Sequence, residues 1–117
     1  MMVETKPMVH LVFWKLNGPT AEEKKNQANQ IVQAFLALKN KMEGLLRLEV
    51  GQNCIEHSDA WDISVYMVFE SAAMLELYQS HPMHLDIKRL VGPMRLDRGQ
   101  VDFELMVNET TPWKATK

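Results

Sequence analysis

The sequence predicts an α+β fold: a four-stranded antiparallel sheet with its helices on one face. Three observations lead there. Four stretches carry the apolar runs or period-two alternation of strands, two stretches carry helical periodicity, and they follow one another as β-α-β-β-α-β. At 117 residues the chain has room for one domain of two layers.

Each element has its own justification. Met8–Leu16, MVHLVFWKL, is apolar on both sides, with Val9, Leu11 and Phe13 on one and Val12, Trp14 and Leu16 on the other. Asn17-Gly18-Pro19 breaks it. Thr20 with Glu23 three positions on forms a capping box. The helix it opens carries an apolar stripe of Ala28, Ile31, Val32, Phe35, Leu38 and Met42, and Gly44 is placed to end it. Leu45–Asn53 alternates Leu46, Leu48 and Val50 with Arg47 and Glu49, a second strand, and Cys54–Ala60 is a polar loop. Trp61–Glu70 is the third strand, with Trp61, Ile63, Val65, Met67 and Phe69 sharing one face. Ser71 caps a helix over Ala72–Gln79, which Ser80-His81-Pro82 interrupts. Proline suits a first helical turn, so a helix restarts over Pro82–Val91 and stops at Gly92-Pro93. Gln100–Val107 is the last strand. The whole is the split-βαβ, ferredoxin-like pattern. The folded core spans about 8–107, with loose ends over 1–7 and 108–117, where Trp113 is out of character.

Composition narrows the function. Thirteen basic against fifteen acidic residues leave a net charge of -2, no drive towards nucleic acid or an anionic membrane. The single Cys54 allows no intrachain disulfide and no multi-cysteine zinc site. No apolar run approaches the ~20 residues of a membrane span, and Met1–Met8 lacks the apolar core of a secretory signal, so a cytoplasmic location is expected. The isolated glycines form no phosphate loop, and the nine methionines read as flexible core filler.

One feature of the sheet is out of balance. An antiparallel sheet with a wet face alternates apolar with polar residues. The first strand has three apolar residues on each side, and the third carries Tyr66 and Val68 on its more polar face. A partly apolar uncovered face calls for a cover, and a second copy of the same sheet is the simplest one.

Taken together, MVHLVFWKL, VGQN, WDISVYMVFES, LYQSHPMH and RGQVDFE, in this order from about Met8 to Glu104, resemble the stress-responsive A/B barrel (Dabb) domain family. The resemblance implies a dimeric α+β barrel, in which two ferredoxin-like subunits press their sheets together. It also implies a pocket between helices and sheet. A plant member of the family closes a linear polyketide by an intramolecular aldol reaction, and the acid/base tyrosine and histidine of that chemistry match Tyr78 and His84. A pocket histidine on the first strand matches His10, whereas another on the third strand is replaced by Ile63. The resemblance implies no cofactor.

The residues also speak for themselves. His84 shares a helical stripe with Ile87 and Val91 and should point inward, and the break at His81-Pro82 can bring Tyr78 beside it. A histidine can act as base near neutrality, and a tyrosine hydroxyl can donate to a developing enolate oxygen. Trp14, Phe35 and Ile63 would supply a greasy wall, with His10 and His81 among the polar pocket residues. His81 before a proline would serve equally as a turn or cap, and an inward His84 bonded to Tyr78 or a carbonyl would serve equally as a satisfied core residue. The His81-x-x-His84 spacing lacks a third metal ligand nearby, since Asp86 is the only close one and His10 and His57 are distant. Cys54 has no basic partner that would make it a nucleophile. The expectation is a homodimeric Dabb protein of unassigned biochemical role that binds a small, largely apolar ligand. The alternatives are a cofactor-independent cyclase or lyase working through Tyr78 and His84 on a carbonyl compound, and a non-catalytic oligomer-forming protein.

Overall fold

A computed structural model describes residues 6–106. The elements are β1 (Met8–Leu16), α1 (Ala21–Leu36), β2 (Leu45–Gln52), β3 (Ile63–Phe69), α2 (Ala72–Gln79), α3 (Pro82–Val91) and β4 (Arg95–Glu104), with a 3-10 turn at Gly92–Met94. The sheet is antiparallel throughout, in the order β2-β3-β1-β4. This is the ferredoxin-like arrangement the element order predicts. The expectations for Val107, Trp113 and both chain ends fall outside the described residues.

Helix starts are set by side chains that occupy otherwise unpaired backbone donors. Thr20 Oγ1 accepts from the Glu23 amide at 3.1 Å and donates to Glu23 Oε2 at 3.0 Å, closing the capping box. Ser71 accepts from the Met74 amide. The first helix ends sooner than its apolar stripe suggests. After Leu36 the chain makes tighter bonds, Lys39 to Leu36 and Lys41 to Leu38, and Asn40 adopts a left-handed φ of 65° that an α-helix does not admit. Leu38 and Met42 are still buried, because these successive turns hold their side chains against the same core.

Strand ends differ from the alternation for similarly local reasons. Between Leu45 and Arg47 the β2–β3 register slips. The slip turns Leu46 out to 58% exposure while Leu48 remains buried. Trp61 leaves the sheet before β3 begins and lies against Phe13, at 5.6 Å between ring centroids, so it does not share the face of Ile63. The last strand starts at Arg95, five residues before the expected Gln100. Its first half, RLDRG, has no apolar alternation, yet its backbone pairs with β1 from Leu16 to Phe13.

One face of the sheet presents Val12, Trp14, Leu16, Ile63, Val65, Met67 and Phe69 to the helices, which contribute Ile31, Phe35, Leu75, Tyr78, Ile87 and Val91 to the same core. On the other face, register places Val9 between Val68 and Phe103, and Leu11 between Tyr66 and Val101. Among the described residues no helix covers this apolar band. In β4 the polarity is inverted: Val101 and Phe103 lie on the helix-free face, and Arg98, Gln100 and Asp102 share the register of Trp14, Val12 and His10 on the helix side.

Gly44 has φ +80°, and a Cβ there would sit 2.5 Å from Met74 Cγ. Gly44→Ala should lower the unfolding free energy by about 1–3 kcal/mol in urea titrations. Gly92→Ala, with open space around its Cβ position, should hold or raise it. Equal effects of the two substitutions would contradict this account.

Candidate functional site

A cavity of about 350 Å³ lies between the helices and the β1–β3–β4 side of the sheet. Its size is at the small end for small-molecule sites. Trp14 and Phe35, with ring centroids 5.9 Å apart, form part of an apolar wall together with Val12 and Met67. Tyr78, His84 and His10 are among its polar lining residues.

The break between α2 and α3 positions the first two. Pro82 has no amide hydrogen and occupies the first turn of α3. His81 is the N-cap, its Nδ1 accepting from the Met83 amide at 3.1 Å. His84 reaches back across the break, and its Nδ1 donates to the Gln79 carbonyl at 3.0 Å. A carbonyl only accepts, so Nδ1 carries the proton and Nε2 is the bare nitrogen of the neutral ring. The His84 ring lies 4.3 Å from that of Tyr78, whose other side meets Phe69 at 5.2 Å.

His10 is 3% exposed. It pairs directly across the ladder with Asp102, and its Nδ1 donates to Asp102 Oδ1 at 2.5 Å. Gln100 Nε2 donates to the other Asp102 oxygen at 2.7 Å. The His10 ring meets Tyr78 edge-on at 6.1 Å.

Burial shifts both members of the Tyr78–His84 pair towards neutrality. It raises the Tyr78 hydroxyl above its usual pKa, with the Arg98 charge acting the other way. It lowers the His84 imidazole, and the Lys88 and Arg98 charges add to that, against the hydrogen bond to Gln79. Tyr78 is 2% exposed, and its hydroxyl has no hydrogen-bond partner among the described residues. Nor is it a sealed orphan, because among the described residues no fully enclosed side-chain polar atom lacks a partner. The hydroxyl therefore opens onto the cavity. A neutral donor and a neutral base stand side by side, an arrangement that suits proton transfer to and from a bound oxygen compound.

Of the expected pocket residues, His10, Trp14, Phe35, Tyr78 and His84 line this cavity. Ile63 does not: it is buried in the core on the Trp14 side of β3, paired with Trp14 in the ladder. His81 does not line it either, because its ring is used as a helix cap. Lys88, Arg95 and Arg98 do line it, and sequence reasoning passed over all three. The β4 residues were hidden because the strand was started at Gln100. The i+4 spacing from His84 to Lys88 was the available signal for the third. Among the described residues no three His, Cys, Asp or Glu side chains converge as a metal site requires, and Cys54 is exposed. Among the described residues no helix is long and apolar enough to cross a membrane.

The model of the Stress Responsive A/B Barrel Domain, Dabb, matches residues 8–105. The chain belongs to the Dabb family. Solved structures share its fold. A dimeric protein of unknown function and ferredoxin-like fold from Bacteroides fragilis is 28% identical, with 85% of this chain and 96% of that one covered at a TM-score of 0.75. A dimeric ferredoxin-like protein of unknown function from Thermobifida fusca is 21% identical over 90% and 96%, at 0.76. A hydroxynitrile lyase from Passiflora edulis is 18% identical over 93% and 100%, at 0.73. No curated protein matches the sequence. Dabb membership accounts for the fold and leaves the reaction open.

The lowered His84 pKa has a consequence for stability. Below about pH 6.5 the unfolded chain takes up a proton at this residue more readily than the folded one. The stability held by the neutral ring is therefore full above that pH and declines as pH falls from it towards the folded-state pKa. His84→Gln should flatten the fall in urea midpoint between about pH 7 and 5 relative to wild type. Parallel profiles for the two proteins would refute the shift.

Proposed function

We propose that this Dabb protein is a homodimer, joined through its helix-free sheet faces, and that the cavity in each subunit binds a small, largely apolar molecule with an oxygen-bearing end. The observation that carries the binding reading is the cavity itself, with Trp14 and Phe35 on one side and the Tyr78–His84 pair on the other. A protein built only to assemble needs neither the space nor a titratable pair facing it. The dimer reading is supported by the apolar band of Val9, Leu11, Val68, Val101 and Phe103, and by dimeric neighbours such as the Bacteroides fragilis and Thermobifida fusca proteins.

A second reading has its own observation in its favour: the 4.3 Å contact of Tyr78 and His84, with His84 Nδ1 tied down. On this reading the pair performs acid/base chemistry on a carbonyl compound without a cofactor. His84 Nε2 would take a proton from the carbon next to the carbonyl, and the Tyr78 hydroxyl would donate a hydrogen bond to the oxygen as it gains charge. Run on a hydroxyl proton instead, His84 Nε2 would take that proton as the oxygen becomes a carbonyl and the adjacent carbon–carbon bond breaks, and would return it to the carbanion that leaves. The Passiflora edulis neighbour is a hydroxynitrile lyase, so this fold accommodates lyase chemistry there.

Light scattering after size exclusion should give twice the 13.5 kDa chain mass, and Val101→Lys with Phe103→Lys should give monomer. A monomeric wild type would overturn the dimer.

The neutral probe 4-phenyl-2-butanone should shift the Trp14 indole signal in NMR titrations, and no shift at millimolar probe would reject the reading of the pair as acting on a neutral carbonyl compound. In heavy water the wild type should accelerate exchange of the probe's α-protons. His84→Ala and Tyr78→Phe should each lose about a hundredfold or more of that acceleration while still binding. The rate should rise with pH through a midpoint below the ordinary histidine value. Binding without acceleration would leave the pocket as a binding site and remove the catalytic role.

A further inference from the structure

We infer that the ligand of this cavity is an anion, a carboxylate carried on a small apolar body, and that Arg98 and Arg95 select it. The inference rests on the binding reading above and names the class of molecule bound.

Three cationic side chains line the one cavity: Lys88 from α3, and Arg95 and Arg98 from β4. Among the described residues none of the three makes an ion pair. The acidic groups nearby form their close contacts elsewhere, although the Asp102 charge is felt at Arg98. Asp102 accepts from His10 and from Gln100. Asp97 accepts from the Arg98 backbone amide, and its register with Lys15 places it on the helix-free side of the sheet. Asp86 is paired with Arg89, which does not line the cavity.

Most surface cations are simply solvated, and the exposed positions of Lys88, Arg95 and Arg98 taken singly would need no explanation. Convergence is what calls for one. Like charges gathered at a concave, partly apolar site repel one another and focus a positive potential into it. Arg98 is close enough to the Tyr78–His84 pair to act on the ionisation of both, so its charge is felt inside the cavity. The opposite wall, Trp14, Phe35, Val12 and Met67, carries no charge. A site with one greasy wall and unpaired guanidinium groups is complementary to an amphipathic acid. The planar fork of arginine matches a carboxylate through two parallel hydrogen bonds, which a hydroxyl or ketone of the same size cannot reproduce.

The test is a matched pair of probes, 4-phenylbutanoate and 4-phenylbutan-1-ol, titrated into the full-length protein at low salt and followed by backbone and Trp14 indole NMR shifts. The carboxylate should bind at least about tenfold more tightly than the alcohol, and the preference should shrink in high salt. Arg95→Gln with Arg98→Gln should bring the two affinities to within about twofold by weakening the carboxylate alone, and Arg89→Gln should leave the preference intact. If the alcohol binds as well as the acid, or the preference survives in the double variant, the inference is overturned while the cavity stands as a binding site. If neither probe binds, the inference and the binding reading fall together.

Discussion

The break in the helix after Ser80 is the constraint from which the site follows. An unbroken helix through Tyr78 and His84 would leave the two side chains six residues apart and on different faces. Pro82 cannot donate to the preceding turn, so the chain must stop and restart. Each group the break orphans finds a specific partner: His81 takes the Met83 amide, and the Gln79 carbonyl receives His84 Nδ1. The second of these bonds shapes the cavity wall. It fixes the ring beside Tyr78, settles which nitrogen carries the proton, and leaves the other available.

The polarity of β4 is the complementary half of the design. An edge strand over which the helices do not close completely can afford charged side chains on its helix side. Arg98 and Asp102 sit there, one lining the cavity and the other tethering the buried His10. The same strand turns Val101 and Phe103 to the opposite face. Because strand side chains alternate, a one-residue slip of β4 against β1 would exchange the two sets, taking the cations out of the cavity and the apolar residues off the helix-free face. The pocket chemistry and the apolar outer band are thus locked together by a single register. Gly99, where any Cβ would come within 2.7 Å of the Phe13 ring, helps hold it.

Much of this was legible in the sequence because it depends on short-range chemistry. The capping box at Thr20, the proline at the start of α3 and the apolar stripes mark their elements without help from the fold. The Tyr78–His84 pairing was readable for the same reason, since both flank one local break. What escaped was determined by long-range pairing. RLDRG has no strand-like alternation, and β1 makes it a strand by supplying hydrogen-bond partners, so Arg95 and Arg98 could not be placed on a face beforehand. Ile63 is expected in the pocket because the family resemblance aligns it with a pocket histidine on the third strand. Its position beside Trp14 in the ladder puts it in the packed part of the layer instead. His81 was ambiguous between cap and pocket, and backbone geometry at the break resolves it as a cap.

A satisfied core histidine and a working one differ in what happens to their neighbours. Were the pair merely structural, the simplest packing would join the Tyr78 hydroxyl to His84 or to a carbonyl, since a polar group taken from water without a partner costs about 1–3 kcal/mol. Instead His84 spends its proton on Gln79, and the tyrosine hydroxyl opens onto space. Replacing Tyr78 by phenylalanine and closing the cavity with larger apolar residues would therefore be expected to stabilise the fold. Among the described residues a cavity, a tyrosine hydroxyl without a protein partner and three cations without ion pairs lie at one place, a combination that packing alone does not favour. They become mutually consistent once an apolar molecule with an anionic end occupies the hollow, excluding water from the tyrosine and neutralising the arginines in the same step.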